Sequence, residues 1–360
     1  MVYLIYPLMA VCLFWGTKIC KRKEWNEDVL SYAQTKSFLG FAALMIILHH
    51  CSQRTSAPWL PVNRQVRGLD GFVYIGYIFV AMFFFCSGYG MYTSSRSKEG
   101  FFKGYYKRIL MLIVPTVVMW LVFFTIERVK GMHIYPPVWL NTYDYIWFVP
   151  ALIFMYIFFY LSFHLIKNEK VGVAAMIAGT IIYFILCYYF SPGTWWYNTH
   201  HLFVVGIIVG RHKEGIMSGV KKLYPLWIVL SLIITAAFFY ISNYYWQFIT
   251  LIGKTYDDST HRTVELLGQV ISAFSATFLV FLIGMKVKIG NRLLKLLGAF
   301  TLEIYLVHPL FVQLFSFAFL QNTVKPLYHI QDPFLYVAAV MAVSVPIAFL
   351  LHKVIKKVGL

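Results

Sequence analysis

Two adjacent histidines, His49 and His50, sit near one end of an apolar run, Lys36–Cys51 (KSFLGFAALMIILHHC), whose other end carries a single cation, Lys36. Imidazole is the side chain best suited to proton transfer near neutral pH. His50 stands fourteen positions after Lys36, roughly 21 Å of helix at about 1.5 Å per residue, with a near-return to the same face. Polar groups so deep in an apolar run are costly unless they meet a cavity or a partner. A second polar set, Glu303, Tyr305 and His308, lies in another apolar run near the C-terminus. Glu303 and His308 are five residues apart, about 140° around a helix, so they serve different directions. A lone intramembrane histidine is as readily explained by packing, through a hydrogen bond to a backbone carbonyl. Two adjacent ones, matched by a His and a Glu in another span, favour chemistry.

Further polar groups accompany these. Ser87-Gly88 followed by Tyr92 gives SGxxxY, in which the small pair admits close approach of a second helix or of a ligand. The basic segment RSKEGFFKGYYKR, with Lys103, Lys107 and Arg108, suits lipid phosphates or a phosphate-rich donor such as coenzyme A. HExxH, GxSxG and Walker motifs are absent, which removes the readings of zinc protease, serine hydrolase and P-loop NTPase. The five cysteines show no CxxC or CxxH spacing, so buried inert thiols are expected rather than a metal site or disulfide framework.

The elements that must position these groups are membrane helices. The chain has 360 residues, 60% hydrophobic and 12% charged, with mean hydropathy +0.70. A soluble domain is nearer about 25% charged. Apolar runs of about 18 or more residues recur, and alternating ten-residue strands do not appear, so the fold expected is all-α: a polytopic helical bundle of about 10–11 transmembrane helices. The spans read as 2–19, 37–52, 71–92, 109–127, 146–166, 172–190, 200–210, 224–243, 264–285, 296–317 and 334–351. The seventh, HLFVVGIIVG, is expected to be short. Residues 1–35 form an uncleaved membrane anchor with a basic cytosolic linker, and 36–360 a ten-helix membrane domain.

The net charge of +17 is no nucleic-acid signature, because the basic residues cluster in short loops between apolar runs. With the N-terminus outside, inner loops hold 23 of the 31 Lys and Arg residues. That bias puts Lys36 and the C-terminus in the cytoplasm and the histidines toward the outer half. The outer loops SAPWLPVNRQVRG, HIYPPVWLNTYDY, SPGTWWYN and NYYWQF are rich in aromatics. Interfacial belts explain them, and so does stacking on sugar rings.

Six segments fall in an order that resembles the acyltransferase-3 family of integral membrane acyltransferases. They are LHH at 48–50, FFFCSGYGMY at 83–92, YYKRILMLIVP at 105–115, YIWFVPAL at 145–152 (with Trp147), HLFVVGIIVGR at 201–211 and LLGAFTLEIYLVHPLF at 296–311. The resemblance runs from about Lys36 to the C-terminus. The sequence departs from the family in two places. The family's first motif has an arginine eleven positions before its histidine; Leu39 stands there before His50, and Lys36 is the nearest cation, one turn early. Lysine reaches about a turn by extending its stem but makes no bidentate contact. At the third cytosolic edge, Lys107-Arg108 is followed at 111 by Met rather than by a second arginine.

The resemblance implies acyl transfer, most often acetyl, from cytosolic acyl-CoA to a hydroxyl of an extracytoplasmic or lipid-linked glycan in the cell membrane. No permanently bound cofactor and no nucleic-acid partner are implied, and the partners are acyl-CoA, glycan and lipid. His50, or His49 beside it, serves as general base, with Glu303 and His308 in the same catalytic set. Lys36, Lys103, Lys107 and Arg108 lie on the donor side. Ser87, Tyr92 and Tyr305 are candidates to stabilise the oxyanion. With the chain ending nine residues after its last span, it is expected to act alone or with a partner protein. Two other classes fit a many-spanned chain with aromatic loops: a glycan polymerase or lipid-linked sugar transferase, and a proton-coupled transporter relaying through His50, Glu303 and His308. Consumption of acyl-CoA distinguishes the first reading from both.

Overall fold

Residues 40–48 are buried on every side, as expected of a helix apolar all round, and the bundle is built about that stretch. The computed structural model describes residues 1–129, 147–190, 193–253, 257–315 and 330–357. The outer loop HIYPPVWLNTYDY, the first two residues each of SPGTWWYN and YIWFVPAL, the last two of the 296–317 span, and the outer-loop cations Lys130, Lys254 and Lys325 lie outside the described residues.

The described chain is almost wholly helical. A short helix α1 (Ile5–Phe14) leads to strand β1 (Lys18–Ile19) and the central α2 (Tyr32–Thr55). Next come α3 (Gly76–Ser97), α4 (Tyr106–Val129), α5 (Phe148–Tyr160) and α6 (Glu169–Phe190). They are followed by α7 (His201–Lys222), α8 (Tyr224–Asn243), α9 (Tyr245–Leu251) and α10 (Asp258–Gly284). Strand β2 (Val287–Lys288), α11 (Arg292–Leu297), α12 (Thr301–Leu314) and α13 (Pro333–Lys357) complete the order. Seven helical stretches, those of α3, α4, α5, α6, α8, α10 and α13, are long and apolar enough to cross a membrane; α1 and α12 are shorter apolar helices. The chain is an all-α, multi-pass membrane bundle.

Three elements differ from the sequence expectation. The first span, 2–19, is helical only to Phe14, and its last two residues form β1. The short seventh span, by contrast, ends close to residue 210 as expected: non-helical backbone at His212 kinks α7, and a second helical stretch with Met217 and Val220 buried continues to Lys222. The tenth span is two helices, α11 and α12, separated at Gly298–Phe300. The aromatic segment NYYWQF, read as loop, contains the start of α9.

Polar side chains set several boundaries. Ser31 caps α2 by accepting from the Gln34 amide, and Asp257 caps α10 by accepting from the Thr260 amide at 2.8 Å. Asn291 does two jobs. Its Oδ1 caps α11, and its Nδ2 donates to the Cys12 and Trp15 carbonyls at 2.9 and 3.2 Å, tying down the end of α1. The other end of α1 meets the 70–72 turn, where the Gly71 amide donates to the Tyr6 hydroxyl. The same stretch is joined to the end of α10 by β1 and β2, which pair Lys18 with Lys288 and Ile19 with Val287.

Close approach of α2 to α11 depends on two glycines. A Cβ on Gly298 would stand 1.9 Å from the Lys36 carbonyl oxygen, and one on Gly40 2.1 Å from that of Leu294. Both neighbours are backbone, so relief requires moving a helix. Gly298→Val is therefore expected to cost about 1–3 kcal/mol by overpacking. A lowered unfolding temperature in detergent, against an exposed control such as Gly219→Val, checks this. Gly219 has nothing within 4 Å of its Cβ position.

Candidate active site

His50 and His308 meet in the interior, although 258 residues separate them in sequence. Nδ1 of His50 lies 2.6 Å from Nε2 of His308. The rings are nearly parallel, 6° apart, with centroids 4.9 Å apart. A contact that short with centroids that far apart is edge to edge, an in-plane hydrogen bond rather than a face-to-face stack. His308 is fully buried, and its Nδ1 lies 2.7 Å from the Ile304 carbonyl oxygen. A carbonyl only accepts, so Nδ1 of His308 carries the proton and its Nε2 is the bare acceptor. His50 then donates from Nδ1, and its Nε2 carries no proton. The chain Ile304 carbonyl–His308–His50 thus selects one tautomer, the one a general base needs.

His49 is positioned differently. Its Nδ1 donates to the Phe72 carbonyl at 3.0 Å, and its ring packs on the backbone at Gly76, where a Cβ would lie 2.3 Å from Cδ2. A backbone acceptor and a glycine seat hold that ring against the 70–76 segment. Of the adjacent pair, His50 is the one joined to a second titratable group in α12.

Two large cavities flank these residues. One, about 340 Å³, lies toward the start of α2 and is lined by Lys36, Arg108, Lys356, His352 and Glu303 among apolar groups. The other, about 650 Å³, lies toward the end of α2 and is lined by His49, His50, Arg54 and many aromatics, including Trp59, Trp147, Trp195 and Tyr245. Ile46, Val80 and Tyr305 line both. A basic compartment and an aromatic one therefore share a wall one helical turn from His50.

The residues singled out from sequence separate into three groups. His50, His49, Trp147 and Tyr305 line the aromatic chamber, and His308 backs His50 from within the protein. Lys36, Ser87, Arg108, Glu303 and again Tyr305 line the basic cavity. Glu303 does not join the histidine pair; its Oε1 accepts from His352 Nδ1 at 2.8 Å, as the 140° offset anticipates. Gly88, Tyr92, Lys103 and Lys107 are not among the lining residues of either cavity. Gly88 lets α3 cross α7, for a Cβ there would sit 1.9 Å from the Phe203 carbonyl oxygen. The Tyr92 hydroxyl donates to Glu169, which also pairs with Arg211 at 3.2 Å. Lys103 and Lys107 are exposed in and just after the 98–105 turn.

Several lining residues were not singled out. Arg54 lies beyond the apolar run 37–52, yet α2 continues through Thr55, and a residue four after His50 shares its face. His352 and Lys356, on α13, gave a signal only as polar groups closing an apolar run. In the aromatic chamber Asn198 Nδ2 donates to Gln269 Oε1 at 2.8 Å, and Gln269 Nε2 donates to Glu265 Oε1 at 3.0 Å. Asn198 and Gln269 are 71 residues apart in sequence, and nothing local announces their contact.

Fold and cavities together define a multi-pass membrane protein with two compartments inside its helical bundle. The chain belongs to the acyltransferase-3 family: the family model described as an acyltransferase domain matches residues 40–353. It is therefore an acyltransferase, moving groups other than aminoacyl groups, and the polymerase and transporter readings fall away. Neither the curated proteins nor the solved structures yielded a match.

Proposed function

We propose that the protein transfers an acyl group, acetyl foremost, from cytosolic acyl-CoA to a hydroxyl of an extracytoplasmic or lipid-linked glycan, with His50 as general base. The observation that carries this reading is the shared wall: a cavity bearing Lys36, Arg108 and Lys356 abuts an aromatic chamber beside His50. Cations suit the phosphates of a CoA donor. Aromatic faces with neutral amides and hydroxyls suit a sugar. In the proposed reaction the acceptor hydroxyl gives its proton to His50 Nε2 as its oxygen bonds to the acyl carbon. The C–S bond breaks, CoA leaves as the thiolate, and that thiolate takes up a proton. Tyr305, which lines both compartments, is the best placed of the three oxyanion candidates.

The charge bias of the loops supports a cytoplasmic face for Lys36 and the C-terminus and an outer face for the N-terminus, in the cytoplasmic membrane. The test uses sealed vesicles of both orientations, radiolabelled acetyl-CoA added outside, and the host's lipid-linked glycan fraction loaded within. Label in base-labile ester is expected from inverted vesicles, with equimolar free CoA. Labelling from right-side-out vesicles alone would reverse the topology. No CoA release from either, with several acyl-CoAs, would remove acyl-CoA as donor.

A further inference from the structure

Among the described residues, three line both cavities and form the wall between them, two of them one turn from the histidine pair. Ile46 lies four residues before His50 on α2, and Tyr305 three before His308 on α12. Both therefore stand one turn from the pair on the same helix face, about 4.5–6 Å along the axis. Val80 faces them from α3. All three are buried, at 4%, 6% and 8% exposure for Ile46, Val80 and Tyr305. Ile46 and Val80 are β-branched, with little χ1 freedom in a helix. Tyr305 is braced edge-on by Phe148, centroids 5.3 Å apart. None of the three swings aside cheaply.

We infer that Ile46, Val80 and Tyr305 form an acyl-size filter that sets which acyl groups this enzyme transfers. The inference rests on the acyl-CoA reading above. The CoA portion belongs with the cations of the 340 Å³ cavity and the hydroxyl acceptor with the 650 Å³ chamber. The thioester end of the donor is then the part that meets the shared wall. Only about one helical turn separates the wall from His50, room for a carbonyl and one or two carbons. A longer chain has to fold back against stiff side chains. Each excess methylene in such a pocket costs roughly tenfold or more in discrimination. The enzyme therefore selects acetyl over propionyl and rejects butyryl and longer groups.

The experiment measures ester formation by mass spectrometry, in vesicles supplied with the host's lipid-linked glycan fraction and equal acetyl-, propionyl-, butyryl- or hexanoyl-CoA. The wild type is expected to favour acetyl over butyryl by about 100-fold. Val80→Ala and Ile46→Val are expected to raise the butyryl-to-acetyl ratio about tenfold, and Val80→Leu to lower the propionyl-to-acetyl ratio. A ratio is insensitive to how much protein is folded, and Ile46→Val removes only one methylene should Val80→Ala prove unstable. Equal use of butyryl and acetyl by the wild type overturns the filter, as does an unchanged ratio in both enlarging variants. Failure of the acyl-CoA reading looks different: the wild type then releases no CoA from any donor, and the filter falls with it.

Discussion

Replacing His50 with glutamine is expected to lower acyl transfer by about 10²–10⁴-fold, the usual worth of a positioned general base. Glutamine keeps a polar group near the same place and can still reach His308, so the bundle is retained and the loss falls on kcat. Donor and acceptor KM are expected to change little, because the cations and aromatics that line the two cavities are untouched. Initial rates over a range of both substrates, beside an unfolding curve in detergent, check this. His49→Gln provides the contrast. His49 is held by the Phe72 carbonyl and the Gly76 backbone, so its replacement is expected to cost far less. Loss confined to the His49 variant would move the base by one residue.

How far such a site is legible in sequence depends on where its information lies. His49 and His50 are conspicuous because two polar rings in a run of aliphatics are expensive, and expense marks function. The offset of Glu303 from His308 is also legible, because 3.6-residue periodicity fixes it; the structure gives them different partners, His352 and His50. Partner identity is not legible in the same way. That His308 meets His50, or His352 meets Glu303, depends on which helices are neighbours, and two apolar helices of similar length look alike to one another. The break at Gly298 hides for a related reason. The sequence reads on apolar through it, and only the approach of the Lys36 carbonyl shows what the glycine is for. Arg54 hides because the apolar run stops at residue 52, whereas a helix ends where its hydrogen bonding and packing end, and α2 continues through Thr55. SGxxxY had two readings, ligand approach and helix crossing; Gly88 against the Phe203 carbonyl supports the second.

His308→Leu is expected to cost about 10²–10³-fold in kcat, although in this geometry His308 is a positioning residue acting through His50. The argument is one of tautomers. With His308 present, its Nδ1–H is committed to the Ile304 carbonyl and its bare Nε2 accepts from His50 Nδ1. Leucine removes that acceptor. His50 then holds a buried N–H with its partner gone, a loss of about 1–3 kcal/mol, and relieves it by rotating or by shifting its proton to Nε2. Either response spoils the base, and a wrong tautomer alone costs up to about 10⁴-fold in a serine protease triad. A purely structural role for His308 predicts something else: a lowered unfolding temperature with kcat restored once folded enzyme is counted. His308→Gln separates the two. Its amide oxygen falls near the position of Nε2 and accepts from His50, so the glutamine variant is expected to recover most of the rate that leucine loses. Equal loss in both variants would mean that the imidazole of His308 itself takes up a proton during transfer, making the pair a relay of two bases rather than a base and its support.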